Sequence, residues 1–461
     1  MTRFGSITDP PASFVLVGVR VVDPESGTDA VGDLAVLDGR LASVADAGES
    51  VPRLDGAGLI ATPAFCDLHI HLRQPGGESS ETIESGTRAA AHGGYATVCA
   101  MPNTDPPLDE PARVTWVTSC AADAAARVRL VAAATDGRAG EQPVAMEELA
   151  ATGVVGFSDD GAAVASPRMA RALMTYLAPL GLPLIEHAED PQLAAGTLMR
   201  GGPTATRLGL AGWPSSAELT VVERDIALAA ETGARLHLTH LSTGASLDAV
   251  RRAKERGLPV TCDVTPHHLA LIDTWVAGDR TFAWDEATRA PADFEAALDP
   301  TLAYDGRTRV NPPLASRNDA LALLAGVADG TVDAIATDHA PHPPERKAVE
   351  FANAAPGMVG LETALGLGLA AVAAGKLDLM TLIAALSTRP ARLIGESRTM
   401  THGEPADLVV FDARATWRVE AEALASRSAN TPLLGMELPG VVRLTVAGGR
   451  VTYAHDLAPL S

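Results

Sequence analysis

Lysine is nearly absent from this sequence. Of 461 residues only Lys254, Lys347 and Lys376 are lysines, so no site built from the first 253 residues can use one. Cationic residues are scarce in general, because 36 lysines and arginines face 57 aspartates and glutamates, for a formal net charge of −21. So acidic a chain argues against nucleic acid and anionic membranes as partners.

The chain also lacks a cysteine pattern and a long apolar run. Its four cysteines are scattered without a CxxC motif, which predicts reduced core residues and disfavours a cysteine-based zinc site. No stretch is long and apolar enough to span a bilayer. The apolar run at residues 14–22 lacks the basic residues and cleavage site of a secretion signal, so we interpret it as a strand and expect a cytoplasmic protein.

Both ends of the chain have the character of small β-sheets. Short β-rich runs with Asp38-Gly39 and Gly448-Gly449 as turns predict antiparallel hairpins. Because the two ends resemble each other and differ from the middle, we predict a small composite β-sandwich domain formed by both termini, residues 1–61 and 400–461.

The middle of the chain, residues 62–399, alternates apolar strand-like runs with helical patterns. Eight such units over roughly 340 residues are typical of a (β/α)8 TIM barrel. A doubly wound open sheet fits less well, because no glycine-rich phosphate loop follows the first strand. The predicted strands cover residues 66–71, 95–103, 128–136, 153–160, 183–189, 235–242, 259–267 and 332–342.

Polar residues follow several of these strands, and the carboxyl ends of barrel strands are where chemistry is located. In DLHIHLRQPG, His69 and His71 alternate with apolar residues, so both imidazoles leave the same face of the first strand. An isolated HxH motif is weak evidence for a metal. Later strands end in further candidate ligands, namely Asp159, Asp160, His187, His240 and Asp338.

Four imidazoles and two carboxylates are enough to hold two divalent metal ions with a shared bridge. Zinc suits nitrogen and oxygen ligands of this kind. Two such ions can hold a hydroxide, lower the pKa of its parent water and polarise a carbonyl, as the hydrolysis of an amide requires. Asp338 can then take the hydroxide proton and pass it to the leaving nitrogen.

Together the motifs resemble one family. The HxH pair, the two later histidines and the final aspartate are similar to the amidohydrolase superfamily. More narrowly, nearly the whole chain resembles dihydroorotases of the class I bacterial type, with an actinobacterial character. The motifs are DLHIHLRQPG, MPNT, GFSDDG, TPHHL, VNPPL, ATDHAPH, PADLVVFD and SRSANTP. The resemblance implies reversible cyclisation of N-carbamoyl-L-aspartate to L-dihydroorotate in pyrimidine synthesis.

The resemblance also implies a ligand set for two zinc ions per subunit. His69, His71 and Asp338 would bind the first ion, His187 and His240 the second, and Asp160 with a hydroxide would bridge them. Many relatives use a carboxylated lysine as the bridge instead. No lysine precedes Lys254, which leaves the aspartate-bridged type. We expect the neighbouring Asp159 to be structural.

A substrate with a free carboxylate follows from the same resemblance. The residues that would hold the carboxylate are Arg73, Asn103 and His342, and those near the pyrimidine ring are Asn311, Pro356 and Gly357. An alternative for Arg73 is a salt bridge within the barrel mouth. An alternative for Asn103 is a capping or turn role.

Three features depart from the family pattern. Gln74 stands where glutamate is usual, and Ala315 stands where arginine is usual, so either could shift substrate preference. The segment of residues 273–307 is longer than is usual in the family. Their acidic, proline-punctuated sequence predicts a surface excursion, either a lid or an assembly contact.

Two other functions stay open at this point. One is a paralogue of the allantoinase, hydantoinase or imidase kind that opens another cyclic amide. The other is a metal-free scaffold that supports aspartate transcarbamoylase, which the complete ligand set disfavours. The resemblance further implies a homo-oligomer, specifically a dimer, and an association with aspartate transcarbamoylase.

Overall fold

The structure is a computed structural model that describes residues 11–285, 298–457 and 459. The first ten residues of the predicted N-terminal segment and the middle of the 273–307 stretch lie outside the described residues. The strands are β1 Phe14–Asp23, β2 Thr28–Leu37, β3 Arg40–Ala42, β4 Arg53–Asp55, β5 Ile60–Pro63, β6 Phe65–Ile70, β7 Tyr95–Ala100, β8 Arg127–Ala132, β9 Gly156–Phe157, β10 Leu184–Glu186, β11 Met199–Arg200, β12 Gly212–Trp213, β13 Leu236–Leu238, β14 Val260–Val264, β15 Ala334–Ile335, β16 Leu408–Arg418, β17 Glu437–Ala447 and β18 Arg450–Ala454.

Helices separate most of the central strands. Their bounds are Ile83–His92, Pro111–Cys120, Met146–Ala150, Pro167–Leu180, Pro203–Leu208, Ser216–Thr232, Gly244–Glu255, Pro266–Ala270, Arg317–Asp329, Pro344–Lys347, Ala364–Ala373, Leu379–Leu386 and Thr388–Leu393. Within the described ranges, none of these helices is long and apolar enough to cross a bilayer.

Eight parallel strands form the barrel that the sequence predicts. Their order around the sheet is β6, β7, β8, β9, β10, β13, β14 and β15, so chain neighbours are also spatial neighbours. The ring closes because Ile70 at the end of β6 pairs in parallel with His339 just beyond β15. The amide of His71 donates to the carbonyl of His339 at 2.9 Å, which extends this closure to the metal-ligand motif. The (β/α)8 prediction is therefore confirmed.

The barrel strands end earlier than the apolar runs predicted. His240 and Asp338 have φ values of 40° and 46°, in the left-handed region that a strand cannot contain. Non-glycine residues in this region carry backbone strain that the surrounding structure must compensate, and they concentrate at functional sites. The chain therefore leaves the sheet two or three residues before each side chain, which lets the backbone turn these groups inward.

Both termini contribute to the second domain, as predicted. Its strands form one sheet in the order β18, β17, β16, β5, β1, β2 and β3, with β4 also paired to β1. The two ends of the chain meet where β5 runs antiparallel to β16. The sheet folds back on itself because Leu41 in β3 exchanges backbone hydrogen bonds with residues 403 and 404, just before β16. The exact boundaries at 61–62 and 399–400 remain a proposal, since β5 crosses the first of them.

The pairing inside this domain differs from the predicted hairpins in one respect. β1, β2 and β3 are antiparallel, but β4 and β5 both run parallel to β1 and share one of its edges. A short run of β-forming residues cannot reveal this arrangement, because the connection from β3 to β4 crosses the sheet instead of turning back tightly.

The strand β16 joins the two domains through its alternating side chains. Leu408 and Val410 belong to the core of the small domain, whereas Val409 and Phe411 pack into the core of the barrel. This follows from the period of two along a strand, which sends successive side chains to opposite faces.

The predicted surface excursion is wrong for its described N-terminal part. Trp275 is fully buried, and its indole N–H donates to the carbonyl of Thr281 at 2.7 Å. It packs in an apolar cluster with Ile272, Leu314 and Ala315. The acidic composition of the whole stretch concealed this apolar anchor.

Phe411→Ala tests whether β16 holds the two domains together. Phe411 is fully buried, so its truncation removes apolar contact and leaves a cavity at the domain boundary. We expect a loss of about 3–5 kcal/mol in the free energy of unfolding, measured from urea midpoints. Val31→Ala is the control, because Val31 on β2 of the same sheet is 73% exposed, and it should change stability by less than about 0.5 kcal/mol. Equal small effects would contradict a shared core.

Candidate active site

Six side chains from five strand ends meet at the carboxyl end of the barrel. They are His69 and His71 on and after β6, Asp160 after β9, His187 after β10, His240 after β13 and Asp338 after β15. All six are buried. The structure thus brings together every residue predicted as a metal ligand.

The carboxylate of Asp160 lies at the centre of this cluster. Its Oδ1 is 3.4 Å from His69 Nε2, 3.7 Å from His187 Nδ1 and 3.8 Å from His240 Nε2. Its Oδ2 is 3.7 Å from His71 Nε2. The potential ligand atoms therefore fall into two groups, one with the two histidines of β6 and one with the two later histidines, and Asp160 belongs to both.

The donor set fits metal ions, because some of its buried polar atoms lack a hydrogen-bond partner among the described residues. Within the described ranges, His69 Nε2 and Asp160 Oδ1 are buried without a hydrogen-bond partner. Such an atom costs about 1–3 kcal/mol unless something satisfies it. Imidazole nitrogens and carboxylate oxygens converging on shared points are ligands that divalent zinc accepts.

The electrostatics of the cluster favour positive charge at its centre. Burial opposes the charged form of His69, but the carboxylates of Asp160 and Asp338 outweigh it and raise the pKa of His69 to about 10. Burial likewise opposes ionisation of the two acids, yet the surrounding imidazoles hold the pKa of each well below its usual range. A bound cation would satisfy the same carboxylates without a proton.

A second layer of hydrogen bonds orients the β6 histidines. His69 Nδ1 lies 2.7 Å from Thr239 Oγ1, and that hydroxyl donates to Asp263 at 3.1 Å. His71 Nδ1 lies 2.9 Å from Asn103 Oδ1. Such partners fix the ring orientation of metal-binding histidines. Thr239 and Asp263 gave no signal in the sequence, because only the pairing of β13 with β14 places them beneath His69.

A cavity of about 200 Å³ opens in front of the cluster. Its lining includes all the predicted substrate contacts, namely Arg73, Asn103, Asn311, His342, Pro356 and Gly357. His342 Nε2 lies 2.8 Å from the carbonyl of Pro356, and burial lowers the pKa of His342 to about 3, so its ring is neutral.

The guanidinium of Arg73 faces this cavity without a carboxylate partner. Its Nε donates to the carbonyl of Pro341 at 3.2 Å, and its Nη2 is 3.5 Å from His342 Nε2. Burial lowers the pKa of Arg73 to about 10, which leaves it protonated at neutral pH. Among the described residues no acid forms an ion pair with it, so the alternative of a structural salt bridge has no support.

Two predicted contacts are partly engaged with ligand residues. Asn103 Nδ2 donates to Asp160 Oδ2 at 3.3 Å, while its oxygen faces His71. Asn311 Nδ2 lies 3.2 Å from His187 Nε2, while Nδ1 of that ring lies 2.9 Å from His240 Nε2 and 3.7 Å from Asp160 Oδ1. Both asparagines therefore contact predicted metal ligands as well as line the cavity, and their substrate roles stay predictions.

The two single-residue departures from the family pattern, Gln74 and Ala315, do not line the cavity. Gln74 accepts a hydrogen bond from the amide of Ile83 at 3.0 Å and so satisfies the start of the helix Ile83–His92, a task that an amide oxygen performs as well as a carboxylate. Ala315 is buried, and its carbonyl accepts from the amide of Asp273 at 2.8 Å. Neither is among the described residues that line the site.

Asp159 has the structural role predicted for it. Its Oδ1 accepts from the amides of Ala134 and Thr135 at 3.0 and 2.9 Å. This ties the end of β9 to the end of the adjacent β8 and fixes the backbone that carries Asp160.

Two residues near the cavity escaped the sequence analysis. Arg346 lines it and, like Arg73, forms no ion pair within the described ranges. Asn430, from the connection between β16 and β17, accepts from the amide of His342 at 2.9 Å and donates to the carbonyl of Gly357 at 3.1 Å. Asn430 lies in SRSANTP, one of the motifs noted above, but nothing in the motif indicated a task next to the barrel.

Asp160→Ala tests the shared position of this carboxylate. Because Asp160 belongs to both ligand groups, we expect this variant to lose metal from both, whereas His240→Ala should lose metal from one. Metal content after dialysis, measured by mass spectrometry, gives the comparison. His342→Asn is the control, since His342 lines the cavity but belongs to neither group. Wild-type metal content in Asp160→Ala would refute the shared site.

Comparison with known proteins agrees with this geometry. A family model described as "Dihydro-orotase-like" matches residues 58–246. A dihydroorotase of Anaeromyxobacter dehalogenans (strain 2CP-C) is 45% identical over 448 residues, covering 96% of this chain and 98% of the relative. A dihydroorotase of Pelotomaculum thermopropionicum is 41% identical, covering 95% and 97%.

Solved structures show the same fold. The L-hydantoinase (dihydropyrimidinase) from Arthrobacter aurescens has a TM-score of 0.79 at 23% identity, with 97% of each chain covered. The dihydropyrimidinase from Brevibacillus agri NCHU1002 has a TM-score of 0.78 at 20% identity, covering 96% of this chain and 95% of that one. Sequence identities this low establish only the fold. The two dihydroorotases named above are more than 40% identical to this chain over nearly their full length. The chain belongs to the dihydroorotase family.

Proposed function

We propose that this protein is a dihydroorotase, which interconverts N-carbamoyl-L-aspartate and L-dihydroorotate. One observation carries the proposal beyond family membership: the unpaired guanidinium of Arg73 faces the same cavity as the cluster around Asp160. A planar pair of donors suits a carboxylate, and L-dihydroorotate carries a carboxylate on the same ring as the amide that the reaction breaks.

The metal centre of this proposal has two zinc ions. His69, His71 and Asp338 would hold the first, His187 and His240 the second, and Asp160 would bridge them. Bound zinc lowers the pKa of a water molecule and polarises a carbonyl. The donor set and the resemblance of the motifs support zinc and this stoichiometry.

We assign the proton transfer to Asp338. Its Oδ1 lies 2.9 Å from His71 Nε2, and the surrounding imidazoles lower the pKa of Asp338, so the carboxylate is ionised. In the hydrolytic direction the bond between the ring carbonyl carbon and the ring nitrogen breaks. The water oxygen enters the new carboxylate, and its proton passes through Asp338 to the departing nitrogen. In synthesis the same steps run in reverse.

The remaining cavity residues orient the ring. Arg73 and the neutral His342 face the substrate carboxylate, while Asn311 and the backbone at Pro356 and Gly357 form the wall against the ring. Arg346 adds a second positive charge at the mouth of the cavity. In a chain of net charge −21, two unpaired arginines at one opening favour the approach of an anionic substrate.

A hydantoinase-like activity on a neutral ring is the competing proposal. The named hydantoinase and dihydropyrimidinase structures share the fold of this chain, but this likeness does not extend to activity. A neutral ring would leave the half-buried Arg73 without a charged partner, which makes the hydantoinase-like activity the weaker candidate. The dimer and the association with aspartate transcarbamoylase are further proposals from the sequence resemblance, and the cytoplasmic location is a proposal from the scattered cysteines.

Asp338→Ala tests the proton transfer. We expect turnover of L-dihydroorotate to fall by about 10²–10⁴-fold, the usual contribution of a general acid–base group. Metal content should stay largely intact, because the five other ligand residues remain. Steady-state kinetics and metal analysis of the same preparation separate the two effects. Turnover within tenfold of wild type would remove Asp338 from the mechanism.

Arg73→Met tests the substrate carboxylate. Loss of hydrogen bonds to a charged group should raise KM for L-dihydroorotate by about 10–100-fold. Dihydrouracil lacks the carboxylate, so its inhibition constant should hardly change. Arg346→Met is the matched variant, an unpaired arginine of the same cavity, and we expect a smaller effect there. If both ligands were weakened equally by Arg73→Met, the carboxylate assignment would be wrong.

A further inference from the structure

Lys347 is an unusual residue in a chain with three lysines. It ends the short helix Pro344–Lys347 and is only 5% exposed, whereas Lys376 is exposed and Lys254 pairs with Asp333. A buried ammonium is costly unless hydrogen bonds and charges compensate it. Its contacts should therefore show what the position requires.

The ammonium of Lys347 is held by three backbone carbonyls. Nζ donates to the carbonyl of Arg309 at 3.1 Å, of Ala355 at 2.7 Å and of Gly357 at 2.8 Å. It forms no ion pair within the part of the chain that the structure describes. Three acceptors match the three N–H donors of an ammonium, and a planar guanidinium cannot reproduce that arrangement.

The three carbonyls belong to the two segments that face the substrate ring. Arg309 lies two residues before Asn311, and Ala355 and Gly357 flank Pro356. The amide of Gly357 also donates to the carbonyl of Arg309 at 2.9 Å, so the segments already touch. Lys347 adds a cross-link at the point where they meet.

Close approach of the backbone at this point depends on glycine. Gly357 has a φ of 124°, and a Cβ there would lie 2.6 Å from the Cβ of Ala340 and 3.2 Å from His342 Nε2. A Cβ on Gly306 would lie 2.4 Å from the carbonyl oxygen of Lys347. Any displacement of the Gly357 segment would therefore change its contact with the ring of His342.

We propose that Lys347 is a positioning residue: it fixes residues 309–311 and 355–357 as one wall and so sets affinity for the substrate ring, not the rate of bond breaking. This rests on the proposed function of the cavity. Among the described residues, Lys347 hydrogen-bonds to none of the six clustered side chains, and it does not line the cavity itself. Loss of the cross-link should therefore affect binding selectively.

Kinetics of Lys347→Met provide the main test. Methionine keeps the apolar stem and removes the three donors. We expect KM for L-dihydroorotate to rise by about tenfold or more, with kcat within about threefold of wild type and metal content unchanged. Lys376→Met, at an exposed lysine, should match wild type. An unchanged KM, or equal losses of kcat and metal, would overturn the proposal.

Hydrogen exchange of the metal-loaded protein gives a readout that needs no substrate. In Lys347→Met the amides of residues 305–311 and 351–358 should exchange faster, whereas those of 66–72 should not. Unchanged exchange at both segments would overturn the proposal. If the wild type failed to turn over L-dihydroorotate, the proposed function would fall, but this measurement would still decide the role of Lys347.

Lys347→Arg covers the case in which the methionine variant does not fold. It retains the charge but cannot direct three donors at the three carbonyls. We expect a raised KM and faster exchange at the same two segments. Wild-type values for both would show that charge alone suffices, which contradicts the proposed geometry.

Discussion

Closure of the barrel between its first and last strands is the constraint on which the site depends. The pairing of Ile70 with His339 brings the end of β6 beside the chain that follows β15. As a result His71 Nε2 and Asp338 Oδ1 are 2.9 Å apart, although 267 residues separate them in the chain. An open sheet would leave these two groups at opposite edges, and no single metal position could use both.

The charged side chains of the site lie in two places, its buried centre and its opening. At the centre, the buried carboxylates of Asp160 and Asp338 are surrounded mainly by imidazoles. At the opening, neither Arg73 nor Arg346 forms an ion pair with a described residue, although acids greatly outnumber bases in the chain. Positive charge is therefore available where an anionic substrate would enter, and the buried carboxylates lie where a metal ion would fit.

Much of the barrel and of the metal cluster could be predicted from the sequence. The position of polar residues at the ends of apolar runs indicated the cluster, because the carboxyl ends of barrel strands converge independently of the loop sequences. These residues are His69, His71, Asp160, His187, His240 and Asp338. Residues contributed by distant segments could not be found this way. Asn430 comes from the other domain, and Lys347 is informative only because its three acceptors are folded around it. Gln74 was judged by its chain neighbour Arg73, whereas its side chain turns to the next helix.

The tie between Asn430 and the barrel has a consequence for the order in which the protein matures. Asn430 follows His342 by 88 residues, yet it holds both the amide of His342 and the carbonyl of Gly357. A ribosome delivers the ligand-bearing strands long before it delivers this segment. The six clustered side chains, from His69 to Asp338, are therefore all synthesised before the segment that supports this wall of the cavity. The wall can reach its final arrangement only after residue 430 has left the ribosome.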